Sequence, residues 1–105
     1  MKLGCAIGCF TYPHYSAPYE EPLRRVAALE FDGVEMIAAE PEDLSAYYTP
    51  ERVRALAKQV SESGMEVSEF ILYASLVTGL AEREESVKQA ALEVVRRGIG
   101  VAQGL

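Results

Sequence analysis

Apolar and polar positions alternate along this chain with two different periods, and the two periods take turns. Leu3–Cys9 is a short apolar run containing glycines, as expected of a buried parallel strand. Gly33–Ala38 and Met65–Tyr73 are runs of the same kind. Between and after them the spacing becomes helical. Leu23, Val26 and Ala27 share a face in a helix predicted over Glu20–Leu29, where Pro22 is tolerated in the first turn. Val53, Leu56, Ala57 and Val60 form the stripe of a second helix, with Thr49 as cap, Pro50 in the first position and Gly64 as the left-handed stop. Val87, Ala91, Val94 and Val95 mark a third, predicted over Ala81–Val101. Its amino end is rich in Glu82, Glu84 and Glu85, and Arg96 and Arg97 lie toward the carboxyl end, as the helix dipole favours.

The three strands start about 30 residues apart, the size of one strand-helix-strand step. Strands separated by helices run parallel with right-handed crossovers. The predicted fold class is therefore α/β, a partial TIM barrel of three consecutive βα units with parallel strands. Residues 1–105 are expected to form the N-terminal (β/α)3 portion of a (β/α)8 barrel, since eight such units would reach the usual barrel length of about 250 residues.

Composition narrows the function classes. Half of the 105 residues are hydrophobic and a quarter charged, the usage of a globular chain, and no apolar run reaches the length of a membrane span. The net charge of −6 is uneven: residues 1–50 carry 3 basic and 8 acidic side chains, the remainder 7 and 8. Without a basic stripe, neither nucleic acid nor an anionic membrane is an expected partner. Cys5 and Cys9, on one extended strand, would lie about 13 Å apart, too far for a disulfide. They read as small core residues of a cytoplasmic protein. No glycine-rich phosphate loop follows a strand, which argues against a dinucleotide-binding domain.

The loops are lopsided. Helix-to-strand links are short, whereas the strand-to-helix loops 10–19, 39–48 and 74–80 are long, and ligands of α/β proteins bind on that side. Seven of the nine aromatic residues lie at or beyond strand carboxyl ends, namely Phe10, Tyr12, Tyr15, Tyr19, Tyr47, Tyr48 and Tyr73. They suit either a sugar-binding rim or the packing of loops over the sheet.

Several stretches together resemble the xylose isomerase-like TIM-barrel family of sugar phosphate isomerases and epimerases. They are the segment from Met1 to Gly4, the segment from Leu29 to Met36 that contains Phe-Asp-Gly-Val-Glu, the run from Leu44 through Tyr48 into Thr49–Arg54, and Gly64–Ser68. Glu30 departs from the family, which usually has glycine there to close the first helix; a glutamate in that place either strains the turn or shifts the helix end. Gly98 and Gly100 stand where the family has an alanine-rich turn. The resemblance implies an aldose–ketose isomerase or epimerase acting on a small sugar or polyol, with a divalent metal (Mn, Mg or Zn) expected in the full-length family. The family's metal ligands come from later strands, so none is assigned to this chain, which would be inactive alone. The alternative is a self-assembling half-barrel or a small ligand-binding α/β module.

The substrate-lining candidates are Phe10, Tyr12, His14, Glu35 and Tyr73; no catalytic residue is assigned. Glu35 alternates with Val34 and Met36, so it points away from their face, where it serves either a substrate hydrogen bond or an internal ion pair. His14, the sole histidine, either meets substrate or is a solvated loop side chain. Glu69 reads as a partly exposed edge charge. Glu40, Glu42 and Asp43 form an acidic run, a cation recruiter or simply a solvated loop. Unpaired edges on a three-stranded sheet predict a homo-oligomer.

Overall fold

The computed structural model describes residues 1–11, 13 and 15–105; Tyr12 and His14 lie outside the described residues. Three parallel strands form one sheet in the order β1 (Gly4–Ala6), β2 (Gly33–Ala38), β3 (Glu66–Leu72). Helix α1 (Glu20–Ala28) links β1 to β2, and α2 (Pro50–Glu62) links β2 to β3. A short helix α3 (Ala74–Val77) and the long α4 (Glu85–Gly104) follow. The architecture is that of three consecutive βα units.

The central strand follows its prediction residue for residue, and the helix after it is built as its sequence signals require. Thr49 accepts a hydrogen bond from the Arg52 amide at 3.2 Å, and Pro50 opens α2. Gly64 leaves the helix at φ +74°. Glu30 closes α1 at φ +59°, a left-handed conformation that an L side chain disfavours.

Two boundaries differ from expectation. The first strand does not reach Cys9; it stops at Ala6, and Ile7–Phe10 coil into a 3₁₀ turn. Tucking Ile7 into the core, where it is fully buried, turns the chain out of the sheet. The extended spacing assumed for Cys5 and Cys9 therefore does not apply. The third helix begins at Glu85 instead of Ala81, because α3 and a 3₁₀ turn over Thr78–Ala81 occupy the preceding segment. It also runs on to Gly104, so Arg96 and Arg97 sit before its last turn, where Glu93 pairs with both.

One face of the sheet carries the core. Val34, Met36 and Ala38 alternate along β2 and are all completely buried, packed with Leu23 and Val26 of α1 and Leu56 and Val60 of α2. Gly98 of α4 rides directly on Leu72: a Cβ there would stand 2.8 Å from the Leu72 Cδ2 atom. The helix-weakening glycine is thus the condition for close packing of α4 on β3.

Candidate functional site

The loops at the carboxyl ends of β1 and β2 meet in a buried polar network. Residues 43–47 form a wide helical turn, closed by an i→i+5 bond from the Tyr48 amide to the Asp43 carbonyl at 2.8 Å. That turn drops Asp43 beneath the loop, 4% exposed. Its Oδ2 atom accepts the Ala39 amide at 2.8 Å, the Glu40 amide at 3.4 Å and the Tyr19 hydroxyl at 2.9 Å. The Tyr47 hydroxyl accepts the Tyr19 amide and donates to Glu20, each at 2.9 Å. Tyr48 donates to the Ile37 carbonyl at 2.7 Å, and Arg52 lies over the Tyr47 ring. Tyr19 and Tyr47 meet edge to face with centroids 5.3 Å apart. Among the described residues, no buried side-chain polar atom lacks a partner.

This network binds the loops to the sheet. Tyr19, Tyr47 and Tyr48 are buried, so of the two roles open to the aromatic residues they take loop packing. Burial is the first cause that raises all three hydroxyl pKa values above the usual tyrosine range. For Tyr19 the Asp43 carboxylate follows, both as a charge and as a hydrogen-bond acceptor. Asp43 itself is a loop anchor and Glu42 is exposed. The sequence marks Asp43 only as one member of an acidic run; its position three residues after Glu40 and one turn ahead of two tyrosines is the signal that separates it.

The second arrangement lies on the other side of the sheet. There Gly4, Cys5, Ala6, Glu35, Ser68 and Glu69 line an open depression. Glu35 is half-buried; Ser68 and Glu69 are exposed. The pairing of β2 with β3 slips between Val34 and Glu35: Val34 stands opposite Val67, but Glu35 stands opposite Glu69. Ser68 is the extra residue, and the bulge it makes brings Glu69 beside Glu35. Alternation alone could not place it there. Farther along the same strand the face closes, since Ile37 is buried opposite Ile71.

The other candidates scatter. Phe10 is half-buried at the end of the 3₁₀ turn, packed on the core with the Arg25 guanidinium 6.0 Å from its ring centre. Tyr73 follows β3, half-exposed, with its amide bonded to the Ala38 carbonyl at 2.9 Å. Neither lines the depression that holds Glu35. Tyr12 and His14 lie outside the described residues.

Chemically, the depression offers two carboxylates and a hydroxyl, groups that accept hydrogen bonds from a polyhydroxy compound and can exchange protons with it. Among the described residues, no three His, Cys, Asp or Glu side chains are arranged to hold a metal ion. Glu35 and Glu69 alone fall short of a divalent-metal ligand set. No helix among the described residues is long and apolar enough to cross a membrane. No family model matches the chain, and no curated protein matches it.

Proposed function

We propose that this chain is the first three units of a barrel-type sugar isomerase or epimerase, of the xylose isomerase-like kind, with Glu35 on the barrel's inner wall contacting a small sugar or polyol. The observation that carries the reading is the placement of Glu35. It lies mid-strand on the central strand of a parallel sheet, on the face opposite the helices, with a second carboxylate and a serine beside it. In a closed barrel that face lines the interior, with Ile37 and Ile71 one layer nearer the carboxyl ends of the strands than Glu35. The metal that the resemblance implies would need ligands beyond Glu35 and Glu69, and the proton transfer is not assigned to any residue of these three units.

Sequencing the DNA that follows the Leu105 codon tests this. The reading expects further βα units with Glu, Asp and His at strand ends, and a longer product that interconverts an aldose and a ketose or epimerises one of them. The 105-residue chain alone is expected to show no such turnover with added Mn²⁺ or Mg²⁺. A stop codon directly after Leu105, together with a stable folded 105-residue protein, would overturn it.

In that event the second reading, a self-assembling module, takes its place. The observation that favours it is that β1 and β3 each leave one edge unpaired, and parallel sheets are ordinarily covered on both faces. Light scattering after size-exclusion chromatography would then give a dimer or larger; an 11.5 kDa monomer at high concentration counts against it.

A further inference from the structure

Helices α2 and α4 touch at one place and part at the next. A Cβ on Gly104 would stand 2.5 Å from the Val53 Cγ1 atom, so α4 reaches α2 there only because Gly104 has no side chain. One turn earlier along α4, a Cβ on Gly100 would meet nothing within 4 Å. Around that point the helices enclose a cavity of about 360 Å³, lined by the apolar side chains of Leu44, Val53 and Val101 and by Arg54 and Arg97. We propose that this cavity binds a small organic carboxylate with an aliphatic tail, the tail against the three apolar side chains and the carboxylate received by Arg54 of α2 and Arg97 of α4.

Charge selects the ligand's head. The charged residues that line the cavity are both arginines, and no carboxylate lines it. Acidic side chains instead line the depression at Glu35 and the one beside Glu40 and Asp43. In a chain of net charge −6 this cavity is therefore where an anion is favoured and a cation is not. Each guanidinium meets a glutamate of its own helix through a single nitrogen, Arg54 Nη2 with Glu51 at 3.3 Å and Arg97 Nε with Glu93 at 3.4 Å. All four side chains are more than half exposed, and pairs of that kind hold weakly. The planar forks keep further N–H donors, in the geometry that suits a carboxylate.

The rest of the lining selects the tail. Leu44, Val53 and Val101 offer a ligand no hydrogen bond, so a bare phosphate would leave them uncovered and a polyol would find few partners among them. An aliphatic tail takes their surface out of water. The volume falls within the usual range of small-molecule sites. A ligand seated there touches α2, α4 and the wide turn that carries Leu44, and so ties three separate segments together. The cavity lies on the helix side of the sheet, whereas Glu35 lies on the other, so the inference does not depend on the sugar reading.

The full chain is titrated with octanoate, below its micellar range, by calorimetry and by amide NMR. One saturable site is expected, with shifts concentrated at Leu44, Val53 and residues 97–104. The melting temperature is expected to rise with octanoate, since a ligand of the folded state stabilises it. Uncharged octanol and cationic octylamine are expected to bind about tenfold more weakly or worse. Arg54→Gln and Arg97→Gln are each expected to weaken octanoate several-fold and to leave octanol unchanged. Gly100→Leu places a side chain in the open space of the cavity. It is expected to abolish octanoate binding while melting at or above the parent temperature, because leucine is also the better helix former. No saturable binding of octanoate, equal binding of octanol, shifts centred on Glu35, or undiminished binding by Gly100→Leu overturns the proposal. So does a dimer of the parent chain that Gly100→Leu dissociates, which would make a second copy the occupant.

Discussion

Glu69 stands directly opposite Glu35 on the neighbouring parallel strand, placed there by the bulge at Ser68. Like charges facing one another across a sheet repel, by about 0.2–1 kcal/mol where water reaches them. Removing the Glu69 charge therefore relieves a cost. Glu69→Gln is expected to raise stability by a few tenths of a kcal/mol, and by less when Glu35 is already Gln. Urea denaturation of the two single variants and the double variant reads this directly. Additive effects would mean that the carboxylates do not sense one another.

The two faces of β2 make a sharper contrast. Val34 is fully buried beneath the helices, whereas its neighbour Glu35 is half-buried on the opposite face. Glu35→Gln is expected to change stability only modestly. Val34→Asp places a charge without a partner among Val26, Met36 and Leu56 and is expected to cost about 4 kcal/mol or more. In a domain of this size that approaches the whole stability. Similar denaturation midpoints for the two variants would show that the strand's phase has been read backwards.

Asp43 holds three donors at once, two from the backbone of residues 39 and 40 and one from Tyr19. Asp43→Ala leaves all three without an acceptor in a buried place and is expected to cost about 3 kcal/mol. Tyr19→Phe removes one donor and leaves the backbone bonds intact, at about 1.5 kcal/mol. Amide hydrogen exchange at Ala39 distinguishes them: faster in Asp43→Ala, little changed in Tyr19→Phe. The reverse order of stabilities would place the anchor on the tyrosine.

The buried tyrosines also set an alkaline limit. Folding raises the pKa values of Tyr19, Tyr47 and Tyr48 above those of the unfolded chain, burial being the leading cause. The folded state therefore binds protons more tightly than the unfolded one above pH 10 or so. Their contribution is complete below that pH and is lost as pH rises through the folded-state values. Ultraviolet titration is expected to show these three tyrosines ionising only as the protein unfolds, together with denaturation midpoints that fall above about pH 10. Six tyrosines titrating as one ordinary group, with the fold intact, would contradict the buried network.

How much of this was legible in the sequence follows from the range of the interactions. Thr49, Pro50 and Gly64 signal α2 through contacts within a few residues, and both ends fell where those residues place them. The β2 run has burial on its helix-facing positions, so its apolar pattern is unambiguous. Strand β1 ends early because Ile7 finds the core in three dimensions, which no local pattern records. The bulge at Ser68 is a property of pairing between strands, so the place of Glu69 was not readable from alternation. Asp43 and the three tyrosines were visible only as an acidic run and an aromatic bias; their joint role depends on the wide turn over residues 43–47 that brings the loops together.

The turn after α1 is where a local rule is broken, and it offers a last test. Glu30 adopts φ +59° and is exposed, and its amide donates to the Ala27 carbonyl at 3.1 Å. A side chain in this conformation costs about 1 kcal/mol relative to glycine. Gly64 holds a similar conformation at φ +74° after α2, with open space around the position of a Cβ. The two helix ends therefore pose the same backbone question with opposite residues. Glu30→Gly is expected to stabilise by up to about 1 kcal/mol, less what glycine adds to the entropy of the unfolded chain. Gly64→Ala is expected to destabilise by about 1 kcal/mol, with no steric clash to add to it. Thermal melts of both variants against the parent give the two signs in one experiment. A destabilised Glu30→Gly would mean that the glutamate side chain contributes more at this turn than its backbone costs.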